Sequence, residues 1–150
     1  MDDKVILLVE DNPRDVELTK RALLKAKVAN KLVLAEDGEE ALQYLFGEDG
    51  KSGCAIHELP VVVLLDLKLP RVDGHQVLRR IRAEEKTRFL PVVILTSSSE
   101  DTDIVASYDL GANSYVRKPV KFSEFAEAIR HLGLYWLILN QAATRCQRKP

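Results

Sequence analysis

The chain has 150 residues, 46% of them hydrophobic and 30% charged, which is the balance of one folded domain with its own core rather than of a disordered chain. Lys and Arg number 22 against 23 Asp and Glu, for a net charge of −1, so the basic surplus of a dedicated nucleic-acid binder is missing and no nucleic-acid partner is expected. Cys54 and Cys146 show no CxxC spacing and the N-terminal apolar run is short, which argues against a disulfide framework, a signal peptide or a membrane span and leaves a cytoplasmic protein as the expectation.

Short apolar runs alternate with longer amphipathic stretches. The first run covers Val5–Val9; Asn12 then offers an N-cap and Pro13 suits a first helical position, so a helix is expected over 13–27. A second strand is expected over 32–35 and a short helix over 38–46. Residues 47–60, with Gly, Pro and charge but no period, read as a long loop. The run VVVLL at 61–65 is β-branched and has no polar alternation, the pattern of a strand covered on both faces. A helix over 74–85, a strand over 92–95, a weaker helix over 101–110 and a short strand over 114–116 follow. From Phe122 the apolar residues recur every three or four positions through Leu139, with Gly133 interrupting, the stripe of one long helix. Five strands alternating with five helices predict an α/β fold, a doubly wound five-stranded parallel sheet with helices on both faces and an extended C-terminal helix.

In such a sheet the site forms at the carboxyl ends of the strands. There the sequence places Glu10 and Asp11 after the first strand and Asp66 after the third. Thr96, Ser97 and Ser98 follow the fourth strand, and Lys118 and Pro119 the fifth. Three carboxylates on one edge repel unless a cation neutralises them, and Mg²⁺ takes oxygen ligands and accompanies phosphates. A carboxylate is also a competent nucleophile towards phosphorus, and phosphoryl transfer needs positioning and charge neutralisation above all. Taken singly, Asp66 is a strand-end turn residue, Thr96 an ordinary hydroxyl and Lys118 a solvated lysine. Together they form a complete set for a phosphoryl acceptor at Asp66.

The segments LLVEDN at 7–12, LLDLKLPRVDG at 64–74, ILTSS at 94–98 and YVRKP at 115–119 resemble, in order and spacing, the receiver domain of two-component response regulators. The resemblance implies the flavodoxin-like receiver fold over 1–132, phosphorylation of Asp66, and Mg²⁺ held by Glu10, Asp11, Asp66 and the backbone carbonyl of Lys68. It implies phosphoryl contacts from Thr96 and Lys118, a switch in which Thr96 moves and the Tyr115 ring turns inwards, and a cis Lys118–Pro119 bond. It implies a sensor histidine kinase as phosphoryl donor and no enzyme activity beyond self-catalysed phosphotransfer and autodephosphorylation. With no effector domain expected after residue 132, the output falls to a downstream protein or a phosphotransfer partner.

Two departures stand out. The acidic pair is Glu-Asp, where Asp-Asp is also common. Lys68 sits two residues past Asp66, where its stem could shield the phosphoryl group and its amine pair with an acid. The long loop at 47–60 and GLYWLILN at 133–140 resemble the single-domain response regulators that pair with phytochrome-type sensor histidine kinases. The extension 133–150 is apolar nearly all round in its first half, and a homodimer contact through Tyr135, Trp136 and Leu139 is expected of it. His57, His75 and His131 lack metal-ligand spacing and read as surface or filler residues. Competing readings are an aspartate-nucleophile phosphatase, disfavoured by Lys68 where such enzymes carry an acid, and a nucleotide or flavin binder, disfavoured by the lack of GxxxxGK or GxGxxG. A receiver-like interaction module that is never phosphorylated is a further alternative.

Overall fold

The structure, a computed structural model, describes residues 5–25, 30–49, 53, 58–97, 100–118 and 127. Its elements in chain order are β1 (Val5–Val9), α1 (Pro13–Lys25), β2 (Lys31–Ala35), α2 (Gly38–Phe46), β3 (Val62–Leu65), α3 (Gly74–Ala83), β4 (Val92–Thr96), α4 (Asp101–Asp109) and β5 (Ser114–Arg117). The five strands form one sheet in the order β2-β1-β3-β4-β5, and every pairing is parallel. This is the flavodoxin-like order, whose direction of winding reverses between β1 and β3.

The apolar runs become strands because both faces of the sheet are covered. Leu7, Val9, Val63, Leu65, Val92 and Ile94 pack with Leu45, Phe46, Val77, Leu78 and Ile81 on the face of α2 and α3. The alternate residues Ile6, Leu8, Val62, Leu64, Val93 and Leu95 pack with Val16, Ala22 and Leu23 of α1. The period of two that separates these sets is the strand's own. β3 and β4 are buried throughout, whereas the edge strands β2 and β5 are largely half-buried.

The observed elements follow the expected order, with small shifts at their ends. α3 stops at Ala83 rather than 85. Glu84 takes an extended backbone with ψ 133, and the buried Thr87 hydroxyl donates to the Ile81 carbonyl at 2.6 Å, which satisfies a carbonyl of the last turn. The half-buried Arg82 guanidinium then stitches the following loop to the turn before β5. It donates to the carbonyls of Arg88, Leu90 and Gly111 and to Asn113 Oδ1. Burial lowers its pKa. Residues 26 and 27 of the first expected helix lie outside the described residues. So do Ser98, Cys54, His57, His131, Cys146, the Lys118–Pro119 bond and the extension 133–150. Of the helix expected from 122 onward, only residue 127 is described.

Candidate functional site

The carboxyl ends of β1, β3, β4 and β5 meet at one edge because ladder bonding continues past the strands. The Glu10 N–H donates to the Ala35 carbonyl at 3.0 Å, Asp66 to Val9 at 3.1 Å and Lys118 to Thr96 at 2.7 Å. Glu10, Asp66 and Thr96 are buried there, at 2%, 8% and 0% exposure, and Asp11 is exposed beside them. One carboxylate oxygen each from Glu10, Asp11 and Asp66 lies within 4.8 Å of the others.

The turns that present these groups have local causes. Asn12 Oδ1 accepts the Arg14 N–H at 2.9 Å and so caps α1, as its side chain and the following proline predict. The Asn12 N–H in turn donates to Glu10 Oε2 at 3.2 Å. After β3, the Lys68 N–H donates to Asp66 Oδ1 at 3.3 Å. The loop then folds back on Gly74, where a Cβ would stand 2.3 Å from the Asp66 carbonyl oxygen. Only glycine permits that approach. Arg71 adopts φ 65 in this loop and pairs with Glu39 of α2 at 2.8 Å. Asp73 closes the loop with a capping box to Gln76 at the start of α3.

Lys118 carries the charge balance. Its Nζ donates to Glu10 Oε1 at 2.5 Å, Asp15 Oδ2 at 2.8 Å and Asp66 Oδ2 at 3.2 Å. Burial alone would lower its pKa, but the hydrogen bonds to Asp15 and Glu10 and the charges of Asp66 and Glu10 outweigh that and hold it above the usual lysine value. Burial pushes Glu10 up to about 7, with the Asp66 charge acting the same way and Lys118 opposing it. One lysine thus faces more carboxylates than it can neutralise. The hard oxygen donors left over suit a divalent cation such as Mg²⁺, so the residues present fit that ion.

Glu10, Asp11, Asp66 and Lys118 therefore come together as expected, and Thr96 ends the neighbouring strand. Tyr115 sits in β5 opposite Ile94, half-buried against the α2 and α3 core. Lys68 and Ser97 are exposed. Two residues escaped the sequence reading. Asp15, in the first turn of α1, reaches the Lys118 amine. His75 is not a surface or filler residue, because its Nε2 lies 3.0 Å from Ser107 Oγ and joins α3 to α4.

Comparison with known proteins places this arrangement. The sequence matches the response regulator receiver domain over residues 6–130. Among curated proteins it is 39% identical to the probable methanogenesis regulatory protein FilR2 of Methanothrix harundinacea, covering 94% of this chain and 88% of that one. It is 35% identical to response regulator Rcp1 of Synechocystis, covering 89% of each. Among solved structures, the bacteriophytochrome response regulator AtBRR is 50% identical with a TM-score of 0.70, over 94% of this chain and all of that one. The phosphorylated cyanobacterial phytochrome response regulator RcpA is 34% identical with a TM-score of 0.85, covering 95% and 99%. A Mn²⁺-bound form of response regulator Rcp1 is 31% identical with a TM-score of 0.82, covering 94% and 99%. A parallel sheet that gathers an acidic trio and a lysine at its switch point, matched along 125 consecutive residues, makes this chain a member of the response regulator receiver family, similar in particular to phytochrome-associated response regulators.

Proposed function

We propose that this chain is a phosphorylation switch in which Asp66 accepts a phosphoryl group from the phosphohistidine of a sensor histidine kinase. The observation that carries the reading is the trio Glu10, Asp11 and Asp66 within 4.8 Å, with the Lys118 amine donating to two of them. An Asp66 oxygen attacks phosphorus. The O–P bond forms as the P–N bond breaks, and the histidine nitrogen keeps the electron pair. In the reverse sense of signalling, water attacks the acyl phosphate, the O–P bond breaks, and inorganic phosphate and the Asp66 carboxylate are restored.

Glu10, Asp11, Asp66 and the Lys68 carbonyl would hold Mg²⁺, which when bound neutralises charge gathering on the transferring oxygens. The Lys118 ammonium adds a second positive group and the Thr96 hydroxyl a donor. Thr96 and Tyr115 lie on adjacent strands, and their joint movement would pass the change to α4 and β5. The receiver unit spans 1–132. The extension 133–150 forms a homodimer contact through Tyr135, Trp136 and Leu139. The similarity to phytochrome response regulators supports a bacteriophytochrome-type kinase as donor and a cytoplasmic location. A downstream protein or phosphotransfer partner reads the output. No helix among the described residues is long and apolar enough to cross a membrane.

The test is intact mass after incubation with acetyl phosphate and Mg²⁺, beside Asp66→Asn and a metal-free control. The expected result is a gain of one phosphoryl group that needs Mg²⁺ and is lost in the variant. No gain, or an equal gain in the variant, would leave a receiver-like interaction module in place of the switch.

A further inference from the structure

The Lys118 amine has three N–H donors and no acceptor, and each donor goes to a different carboxylate. The contacts are Glu10 Oε1 at 2.5 Å, Asp15 Oδ2 at 2.8 Å and Asp66 Oδ2 at 3.2 Å. Glu10 and Asp66 belong with Asp11 to the cluster that could hold a metal ion; Asp15 does not. Asp15 comes instead from the first turn of α1. The Asn12 cap starts that turn, and the buried Thr19 hydroxyl tightens it by donating to the Asp15 carbonyl at 2.9 Å. The Asp15 side chain is 26% exposed and that of Lys118 only 9%, so the pair is shielded more than a surface ion pair.

The three contacts differ once Asp66 is phosphorylated. The Asp66 contact is already the longest. The carboxylate gives up its formal charge in the acyl phosphate, while new anionic oxygens stand on the phosphorus. The donor now on Asp66 is therefore the one to pass to a phosphoryl oxygen. A cation at the acidic trio also draws on the charge of Glu10. Asp15 is then the one partner that keeps an undivided negative charge.

We propose that Asp15 is a positioning residue for Lys118. Together with Glu10 it fixes two of the three donors and so aims the third at Asp66 and the phosphoryl group that Asp66 carries. The proposal rests on the phosphoryl-acceptor reading of this site. A lysine needs such anchoring because its ammonium rides on a flexible four-carbon stem and has no fixed fork like that of arginine. With Asp15 removed, the amine turns about its Glu10 contact, and the third donor loses its direction.

The experiment compares the full chain with Asp15→Ala and the isosteric Asp15→Asn. The first readout is the ¹H–¹⁵N resonance of the Lys118 ammonium, assigned by its absence in Lys118→Arg. Held ammonium groups give such a signal, and freely exchanging ones lose it. The other readouts are the rate of phosphorylation by acetyl phosphate and the Mg²⁺ affinity by calorimetry. The resonance is expected in the unaltered chain, weakened in Asp15→Asn and lost in Asp15→Ala. Phosphorylation of Asp15→Ala should slow about tenfold, the value of one charge-assisted orienting contact, with Mg²⁺ affinity within about threefold. Asp15→Asn should fall between. The proposal is overturned if the unaltered chain shows no held ammonium, or if Asp15→Ala keeps the resonance. It is equally overturned if the resonance is lost at an unchanged rate, or if rate and Mg²⁺ affinity fall in step. Failure of the underlying acceptor reading looks different, because the unaltered chain itself would then take no phosphoryl group.

Discussion

α3 and α4 follow successive strands of one sheet and are seated very differently. α3 buries Gly74, Val77, Leu78 and Ile81 and starts from a capping box, whereas α4 buries Ser107 alone and has no side-chain cap at Glu100. α4 also leaves Val105 and Tyr108 exposed, at 57% and 50%. Its one buried residue is tied to α3 by the contact between Ser107 and His75. Few buried apolar contacts mean a low local opening free energy. The β3–α3 side, which carries Asp66, is thus the firmly seated one, and the β4–α4–β5 side is seated more loosely. Under the function proposed above, the looser side is the one that a change at Thr96 would move.

The comparison breaks most directly in the core. Ile81→Ala in α3 should cost about 3 kcal/mol, the usual range for emptying a fully buried aliphatic position, while Val105→Ala in α4 should stay within about 0.5 kcal/mol. Urea unfolding of both variants decides it, and equal losses would erase the distinction between the two helices. Gly74→Ala comes next. Its Cβ would meet the Asp66 carbonyl oxygen at 2.3 Å and Leu67 Cα at 2.7 Å, both backbone atoms, so the acceptor loop must shift. A loss of about 2 kcal/mol is expected, with slower phosphoryl uptake from acetyl phosphate. Stability unchanged by Gly74→Ala would show that the loop after Asp66 is as pliant as α4.

The acidic edge of the sheet also carries an electrostatic signature. Burial raises Glu10 from 4.5 to about 7, so the folded metal-free chain keeps a proton there that the unfolded chain releases. The stabilisation is fully present below pH 4.5 and is lost as the pH rises through about 7. Unfolding free energy in a chelator should therefore fall between about pH 4.5 and about pH 7, by an amount on the order of 1–2 kcal/mol at most, seen as a falling melting temperature, and Glu10→Gln should flatten that part of the curve. Mg²⁺ should restore stability at the alkaline end, because it binds the ionised carboxylates. A profile that Glu10→Gln leaves unaltered would assign the pH dependence to other groups.

The smallest effects concern the caps. Asp73→Ala removes the capping box of α3 and should cost about 1 kcal/mol, whereas Glu100→Ser offers α4 a cap it lacks and should gain about 0.5 kcal/mol. A gain in α4 accompanied by slower transmission to a partner would sharpen the view that its loose seating serves the switch. A loss would show that Glu100 already contributes in another way.

Much of the site was legible because its residues follow strands directly. Asp66 comes straight after VVVLL, and Lys118 straight after β5, so a strand reading carries each to the same edge. Asp15 was not legible. An acid in the first turn of a helix is ordinarily a solvated group that complements the helix dipole, and its partner lies 103 positions away. An acid three residues past an Asn-Pro helix start, beside the acidic pair, is the signal that could have raised it. His75 and Ser107 are 32 positions apart, and neither interrupts the pattern of its helix. The early end of α3 was hidden for the same reason, since the Thr87 hydroxyl that replaces its last turn comes from the following loop.

The amino-acid sequence by itself determined the kinds of element and their order, because periods of two and of three to four residues are local and follow from side-chain direction along strand and helix. It also determined which chemical groups stand at the strand ends. The tertiary structure alone decided that one ammonium is shared among Glu10, Asp15 and Asp66, and that Ser107 is the one fully buried residue of α4. Those features arise from which distant surfaces cover one another, and no local pattern in the chain records that choice.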